Sequence, residues 1–319
     1  MRHLLRLSFC LLLVMSATFS VAQREPLKLL RVTPTGDDVP LGTQVVFEFN
    51  RSVVPLGRME RQAEEIPIAI TPPLPCAWRW LNTTTLTCEL GERSPMARAT
   101  RYTVTVRPGI QTEDGVTLAA PVTHTFLTQR PKVTDVRHQI WVSPGTPELL
   151  VLFDQPVTSS SVTRHVYVQI QAPVKKRVAI SASEVPQHKG RGWLIRPVEE
   201  LPQDTSAAVW VEPGVISTQG REPGSEQRAV YAFDTLPPLG IVGLSCVSNA
   251  GQSMTIPALT KHPLQQQCDP QRLTLLFSAP VLKEGAQPAL RWTPALPGAG
   301  TDHDPWETVA NVFGLVCSY

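Results

Sequence analysis

The chain has 319 residues, of which 42% are hydrophobic, 18% are charged and 31 are proline. At roughly 100 to 150 residues per domain, this length predicts two or three domains and excludes a single small module, and proline spread between apolar runs excludes long helices. The chain has 29 basic and 27 acidic side chains. Arg2 and Arg6 lie in a predicted signal peptide, so the mature chain would have 27 of each. This neutral net charge excludes a nucleic-acid-binding or anionic-lipid-binding surface.

The start of the chain, from Met1 to Ala22, has the pattern of a secretory signal. A basic start is followed by an uncharged apolar run from Leu7 to Phe19 and by small residues at Ser20 and Ala22. A membrane-spanning helix needs about 20 apolar residues and this run is shorter, so a retained anchor is the weaker alternative. We therefore expect cleavage after Ala22, a periplasmic or secreted mature chain, and no membrane span after that cleavage.

Five cysteines remain once Cys10 is removed with the leader, and export places them in an oxidising compartment. Local spacing predicts two disulfides, Cys76 with Cys88 and Cys246 with Cys268. Cys317 then has no predicted partner. A metal site is the competing interpretation, but no CxxC or HxxxH spacing accompanies these residues.

An alternating apolar run that ends in a polar turn occurs three times along the chain. This pattern is typical of a strand with one buried face. The three runs are Val45-Val46-Phe47-Glu48-Phe49, Leu149-Leu150-Val151-Leu152-Phe153 and Leu273-Thr274-Leu275-Leu276-Phe277. We call Phe49, Phe153 and Phe277 the marker phenylalanines.

Two further matches follow the first two markers in the same order. Val106-Arg107-Pro108-Gly109-Ile110 corresponds to Val211-Glu212-Pro213-Gly214-Val215, and Phe126-Leu127-Thr128 corresponds to Phe233-Asp234-Thr235. Ordered matches at a nearly constant offset predict homologous domains. The predicted organisation is a signal peptide at 1–22, a first repeat at 27–130, a second at 131–237 and an incomplete third at 239–319.

About seven short strands in each hundred-residue repeat predict an all-β fold of tandem immunoglobulin-like sandwiches. In the first repeat the strands are expected near residues 28–33, 44–49, 66–70, 78–81, 85–90, 101–107 and 122–128, with a turn at Pro34 to Asp38. Tyr102, Val104 and Val106 should face inward. Trp80 and Trp193 should fill the sandwich cores. The third repeat is expected to lack its closing strands and to be poorly packed or filled by a partner.

Motifs of catalysis are missing from the sequence. It contains no GxSxG, GxxxxGK, GxGxxG or HExxH pattern, so we predict no enzyme, no cofactor and no metal site. Asp302-His303-Asp304 is interpreted as a solvated loop, with a cation site as the alternative. Gly224-Ser225-Glu226-Gln227 is similar to an internal thioester motif, but it contains no cysteine to supply the thiol.

Several local motifs together resemble one protein family. They are Pro75-Cys76-Ala77-Trp78-Arg79-Trp80-Leu81-Asn82, the paired Val-Xaa-Pro-Gly units, Phe277-Ser278-Ala279-Pro280-Val281 and Asp304-Pro305-Trp306. They resemble the N-terminal macroglobulin-like domains of bacterial alpha-2-macroglobulins. The resemblance implies a protease-trapping family, with proteases as partners and, in some members, a neighbouring penicillin-binding protein.

The chain departs from that family's pattern where trapping is concerned. It shows no recognisable bait segment, no thioester motif and no distal domains, so we expect an N-terminal scaffold portion, truncated relative to a whole inhibitor. Two other classes stay open. One is an extracellular adhesion or carbohydrate-binding module that uses Trp141, Trp210 or Trp292 as an aromatic platform; the other is an enzyme of unrecognised type.

Overall fold

The structure is a computed structural model that describes residues 25–53, 60–91, 95–142, 145–248, 250–258 and 268–281. The described chain is nearly all β, which confirms the predicted fold class. Its one α-helix is α1 (Ser159–His165), and two short 3-10 turns lie at Ala63–Glu65 and Pro186–His188. The predicted signal at 1–22, Trp292, Asp302 to Asp304 and Cys317 lie outside the described residues.

The strands of the first repeat match most of the expected positions. They are β1 (Leu29–Thr33), β2 (Gly36–Val39), β3 (Gln44–Phe49), β4 (Glu60–Arg61), β5 (Ile68–Thr71), β6 (Ala77–Asn82), β7 (Thr85–Glu89), β8 (Arg101–Val106) and β9 (Val122–Thr128). They form one sheet of order β1-β3-β7-β6-β4 and another of order β2-β9-β8-β5.

The turn expected at Pro34 to Asp38 is confined to Pro34 and Thr35, and its second half was wrong. Residues 36–39 form β2, which runs parallel to β9 with Gly36 opposite Phe126 and Val39 opposite Thr128. The sequence Gly-Asp-Asp-Val has no apolar alternation, and its pairing depends on a strand that is distant in sequence. Only a long-range hydrogen-bond partner makes this polar segment a strand, so local pattern did not reveal it.

The second repeat is a complete two-sheet sandwich with its core between the sheets. Its strands are β10 (Val133–Ile140), β11 (Glu148–Phe153), β12 (Val166–Ile170), β13 (Lys176–Val178), β14 (Ile180–Glu184), β15 (Gly192–Pro197), β16 (Ser206–Val211) and β17 (Arg228–Asp234). Sheet β10-β11-β15-β14 and sheet β13-β12-β16-β17 contribute alternate residues to one apolar cluster, which includes Trp193.

The third repeat contributes three described strands, β18 (Ile241–Ser248), β19 (Ser253–Pro257) and β20 (Cys268–Phe277). They form a sheet of order β19-β18-β20. No side chain of these strands that the structure describes belongs to the apolar core of the second sandwich.

Contacts divide the chain into two compact units. The described residues of the first come from the ranges Met1–Pro34, Gln44–Leu90 and Val104–His124, and those of the second from Thr35–Thr43, Gly91–Thr103 and Thr125–Tyr319. The domain boundaries expected from the repeat stay a prediction.

The same strand pairing occurs in all three repeats. Leu29 lies opposite Phe49, Val133 opposite Phe153 and Ile241 opposite Phe277. In each pair the register shifts immediately after this residue, between Leu29 and Arg31, between Val133 and Asp135, and between Ile241 and Gly243. A bulge at one fixed position in three strand pairs is a structural signature of the sequence repeat.

A hydrogen-bonded clamp follows each marker phenylalanine. The backbone N–H of Lys28 donates to Asn50 Oδ1 at 2.7 Å, that of Lys132 to Asp154 Oδ1 at 3.0 Å and that of Gly240 to Ser278 Oγ at 2.8 Å. Asn, Asp and Ser differ in charge but all carry an acceptor oxygen on a short side chain. The clamp therefore keeps its geometry while the residue changes.

The glycine of the repeated Val-Xaa-Pro-Gly unit has a similar conformation in both copies. Gly109 has φ 133° and Gly214 has φ 129°, values that side chains with a Cβ rarely adopt. The preceding Val106 and Val211 and the following Ile110 and Val215 are all buried. The glycine allows the chain to turn between two buried anchor residues.

The predicted core residues of the first repeat are buried. Tyr102, Val104 and Val106 are buried, as is Trp80, whose ring lies 5.9 Å from that of Phe49. The Cys76–Cys88 disulfide is present, with a Cα–Cα distance of 4.8 Å, and Cys88 is fully buried.

Cys246 is also disulfide-bonded. Its predicted partner Cys268 lies opposite Ser248 in the β18–β20 pairing, and the side chain of Cys268 is outside the described residues. The pairing of Cys246 with Cys268 stays a prediction.

Candidate functional site

In the part of the chain that the structure describes, no group of three or more His, Cys, Asp or Glu side chains is placed to hold a metal ion. Among the same residues, no helix has the length and apolar character of a membrane span. A shallow depression lined by Asn50, Arg51, Ser52, Thr84, Glu113 and Asp114 has a volume of about 440 Å³.

Two charged groups of this depression, Arg51 and Asp114, bind one another. Arg51 pairs with Asp114 at 2.8 Å and donates to the carbonyl of Glu25 at 2.7 Å. Hydrogen bonds from Thr112 and Arg51 lower the pKa of Asp114. A carboxylate held ionised in this way is a structural acceptor, and it does not serve as a general acid at neutral pH.

The best-organised polar cluster is what we call the polar junction, formed by Asp38, Ala99, Arg101, Arg130 and Glu222. All five residues belong to the second contact-defined unit. Asp38 belongs to β2 and Arg101 to β8, whereas Glu222 lies in the segment between β16 and β17. The junction therefore fastens segments of the first repeat to the second sandwich within one unit.

The pair of Arg130 and Asp38 is the strongest charge contact of the junction. Arg130 donates through Nη2 to Asp38 Oδ2 at 2.7 Å, and through Nε to Asp38 Oδ1 at 3.0 Å. Its backbone N–H also donates to Asp38 Oδ1 at 3.0 Å. This bidentate bond lowers the pKa of Asp38 to about 2 and raises the pKa of Arg130, because each charged form stabilises the other.

Ala99 joins two parts of the junction through its backbone. Its N–H donates to the carbonyl of Gln129 at 2.9 Å, and its carbonyl accepts the N–H of Glu222 at 2.9 Å. Ala99 is fully buried and has φ 47°, a left-handed conformation unusual for a residue other than glycine. The surrounding contacts hold this strained backbone in place.

Glu222 completes the attachment with its side chain. Its two carboxylate oxygens accept from Arg101 Nε at 3.1 Å and from Arg101 Nη2 at 3.3 Å. Nearby, Gly220 approaches so closely that a Cβ at this position would overlap the carbonyl oxygens of Arg98 and Ala99. The approach is a backbone contact, which a larger residue cannot relax by changing a rotamer.

A buried amide adds a further contact. Gln155, which follows the second marker phenylalanine, is fully buried and donates through Nε2 to the carbonyl of Gln129 at 3.1 Å. The carbonyl of Gln129 therefore binds a residue of the second sandwich. The backbone N–H of Gln129 donates to the carbonyl of Val39 at 3.1 Å. A set of charged and neutral hydrogen bonds, and no reactive group, makes up the junction.

The aromatic platform required by a carbohydrate-binding module is not assembled from the candidate residues that are described. The candidate Trp141 is not available to such a platform, because it is 8% exposed and its Nε1 donates to the carbonyl of Gly145 at 3.0 Å. A tryptophan in the core cannot stack on an external sugar.

Trp210 lies on the outward face of β16 and is half-buried, next to Tyr167 on the neighbouring strand. The Arg177 guanidinium lies 3.8 Å from the centroid of the Tyr167 ring, and the same guanidinium binds both carboxylate oxygens of Glu212. One face of the adjacent ring is therefore occupied by a cation.

The thioester-like segment has a structural role. It lies directly before β17, and Glu226 accepts the N–H of Val133 through Oε2 at 2.8 Å and binds Arg228 through Oε1 at 2.7 Å. The two carboxylate oxygens of Glu226 therefore join the start of β10 to the start of β17.

The sequence analysis missed the polar junction, because its charged partners are distant in sequence. Arg130 is 92 residues from Asp38, and Arg101 is 121 residues from Glu222.

The repeats and their polar contacts define a tandem β-sandwich protein. No protein-family model matches the chain, and no curated protein matches it. Among solved structures, it is similar to native alpha-2-macroglobulin from Escherichia coli spanning domains MG0-NIE-MG1, with 12% identity and a TM-score of 0.25 over 79% of this chain and 97% of that one.

A Salmonella alpha-2-macroglobulin mutant is a second similar structure. It is 14% identical with a TM-score of 0.28, and the match covers 81% of this chain and 17% of that one. Likenesses at these TM-scores do not define a function, so the function rests on the residues of this chain.

Proposed function

We propose that this protein is an exported, non-catalytic array of β-sandwiches that serves as the N-terminal scaffold portion of a bacterial alpha-2-macroglobulin-like protease inhibitor. The observation that carries the scaffold role is the polar junction. A main-chain hydrogen bond between Glu222 and Ala99 and two arginine–carboxylate pairs fix segments of both repeats in one unit. Fixed orientation is what a frame for a larger assembly requires.

The chemistry of the junction supports a mechanical role over a catalytic one. Asp38 is kept ionised by Arg130, and the carboxylate oxygens of Glu222 are bound by Arg101. Groups paired in this way are unavailable to a substrate, and they stabilise one geometry.

The family part of the proposal rests on the sequence motifs around Cys76 and after Phe277. By the same resemblance, the partners of this protein would be proteases and a penicillin-binding protein.

A protease assay tests the scaffold role against autonomous trapping. Purified chain is mixed with trypsin, and cleavage of a large protein substrate and of a small chromogenic peptide is measured in parallel. A scaffold without a trap leaves both rates unchanged. If the chain slows cleavage of the large substrate while the small peptide is cleaved normally, it encloses the protease by itself and the scaffold role is wrong.

A binding assay tests the rival carbohydrate-binding function. Trp210→Ala and wild-type protein are compared on a panel of immobilised polysaccharides, with Trp193→Phe as a variant of a core tryptophan. The scaffold role predicts no retention for either protein. Retention that is lost in Trp210→Ala and kept in Trp193→Phe would establish the sugar-binding alternative in place of the proposed one.

A further inference from the structure

The strand β10 lies at one edge of its sheet in the second sandwich. The sheet has the order β10-β11-β15-β14, so β11 is the one hydrogen-bonded neighbour of β10 among the described strands. The start of β10 is occupied on its open side, because the N–H of Val133 donates to Glu226 Oε2 at 2.8 Å and its carbonyl accepts from Arg228 Nη2 at 3.2 Å. From Thr134 onward, this edge offers backbone groups that can bind a further strand.

The third repeat shows that the corresponding edge binds a strand. Its strand β18 matches β10, because both have eight residues. Both strands also shift register against the marker strand at the same places, between their first and third residues and between their sixth and eighth. On its other side, β18 pairs antiparallel with β19. The side of β18 that binds β19 is therefore the side that β10 leaves open.

The third repeat also shows which backbone groups face this edge. The carbonyl of Val242 accepts the N–H of Ala258 at 2.7 Å, and the N–H of Ser248 donates to the carbonyl of Gln252 at 2.8 Å. Alternate residues of an antiparallel strand direct their backbone groups to the same side, so residues 242, 244, 246 and 248 are directed at β19. The residues of β10 at the corresponding positions are Thr134, Val136, His138 and Ile140.

The side chains beside this edge are self-complementary in charge. Asp135 and Arg137 flank the buried Val136, and their side chains are 43% and 63% exposed. Arg137 Nε donates to Asp135 Oδ2 at 2.6 Å. If two antiparallel copies of β10 meet with Val136 opposite Val136, each Asp135 lies opposite the Arg137 of the other copy, and opposite charges at such positions stabilise a strand pair.

The same charges disfavour the neighbouring registers. A two-fold pair must match residues whose backbone groups face the edge, so the next registers are centred on Asp135 or on Arg137. The first places two aspartates opposite each other and the second places two arginines opposite each other, and both arrangements are destabilising. The charge pattern therefore selects the register centred on Val136.

We propose that the open edge of β10 binds the same edge of a second copy of this chain, in an antiparallel pair centred on Val136. The pair joins two four-stranded sheets into one continuous sheet. Because the contact is isologous, each interaction occurs twice, and each Arg137 lies between two aspartates. This interface goes beyond the proposed function and does not depend on it.

The mass of the mature full-length chain in solution tests the interface. Sedimentation and light scattering should show a monomer that becomes a dimer as concentration rises, and hydrogen exchange of β10 peptides should slow over the same range while that of β14 peptides does not. Arg137→Asp places like charges opposite each other twice in each dimer, so we expect the dimer dissociation constant to rise about tenfold or more. Asp135→Arg should have the same effect. Arg164→Asp makes the same charge change as Arg137→Asp at an exposed residue of α1 and should leave the dimer unchanged.

Mixing the two weakened variants tests the register itself. In a mixture of Arg137→Asp with Asp135→Arg, one partner has two acidic residues beside Val136 and the other has two basic ones, so the opposite-charge contacts return and a heterodimer should form. Recovery in the mixture also shows that both variants are folded.

Four results would overturn the interface. A monomer mass at every concentration would exclude it, a dimer that Arg137→Asp leaves intact would place the contact elsewhere, and a mixture that stays monomeric would exclude the register. A monomer whose β10 peptides are protected only by a synthetic peptide with the sequence of β19 would show that the edge binds a strand of another protein. The protease assay measures none of these changes, so the interface and the proposed function fail separately.

Discussion

Asp154 and Lys132 exchange two hydrogen bonds at the entry of the second sandwich. The Lys132 N–H donates to Asp154 Oδ1 at 3.0 Å, and the Asp154 N–H donates to the Lys132 carbonyl at 3.0 Å. Asn50 makes the same exchange with Lys28. The acceptor oxygen, and not the negative charge, is what the two copies share.

Asp154→Ala should therefore destabilise the second sandwich by about 1 kcal/mol, because it removes one acceptor from a partly exposed hydrogen bond. Asp154→Asn should retain most of the stability, since asparagine already performs this role at position 50. Native-state hydrogen exchange of peptides covering β10 and β11 measures the difference. An equal loss in both variants would show that charge is the stabilising property.

The Asp38–Arg130 pair predicts a pH dependence of stability. The pKa of Asp38 is about 2 in the folded chain and about 3.9 in an unfolded one. A lowered pKa contributes stability that is complete above about pH 4 and is lost as the pH falls through about 2. We expect a contribution of about 1 kcal/mol at neutral pH, because solvent screens part of the interaction.

Asp38→Asn isolates this contribution, since asparagine keeps the shape of the side chain and tolerates the left-handed backbone of Asp38, which has φ 54°. The unfolding free energy of wild-type protein should exceed that of the variant at pH 6, and the two should converge near pH 2. Asp37→Asn serves as the control, because Asp37 lies 3.8 Å from Arg101 and is well exposed. The same convergence in Asp37→Asn would exclude Asp38 as its source.

Gly220 tests the backbone contact of the polar junction. Gly220→Ala places a Cβ against the carbonyl oxygens of Arg98 and Ala99, so the Glu222–Ala99 hydrogen bond must move. We expect a destabilisation of about 1 to 3 kcal/mol and faster exchange of peptides from residues 95–103. Gly91→Ala is the matched control, because no atom lies within 4 Å of its added Cβ, and it should change stability by less than about 0.5 kcal/mol.

The sequence predicts local elements of this fold well and its long-range contacts poorly. The burial of Trp80 and of Tyr102 follows from alternation along one strand, which a single segment displays. The junction follows from charges that meet only after two repeats have folded. No local sequence pattern distinguishes Arg101 and Glu222 from the other charged residues of the chain.

The same limit explains β2 and Trp141. Gly36–Val39 is a strand because β9 offers it backbone partners, although its residues favour a turn. Trp141 immediately follows β10, and its ring packs against Phe233 with the centroids 6.1 Å apart. No local pattern indicates a contact between these residues, since Phe233 lies in the last strand of the sandwich.

Export can be checked on the purified protein. If the leader is cleaved after Ala22, the mature chain recovered from the periplasm or the medium begins with Gln23. N-terminal sequencing and intact mass measure this directly. A chain that retains Met1 and fractionates with membranes would support the retained anchor.

The Cys76–Cys88 disulfide should contribute substantially to the stability of the first repeat. The two cysteines are 12 residues apart in sequence, and closing a loop of that size is worth about 3 kcal/mol in the chain-entropy model. Cys76→Ala combined with Cys88→Ala should therefore lower the unfolding free energy by about that amount, and reduction of the wild-type protein should have a similar effect.

Peptides from β3 and β7 should exchange faster, because Cys88 lies opposite Val45 in that pairing. Peptides from β11 and β15 of the second sandwich provide the internal control, since neither strand has a cysteine. Unchanged exchange in β3 and β7 after reduction would mean that packing around the fully buried Cys88, and not the covalent link, holds these strands together.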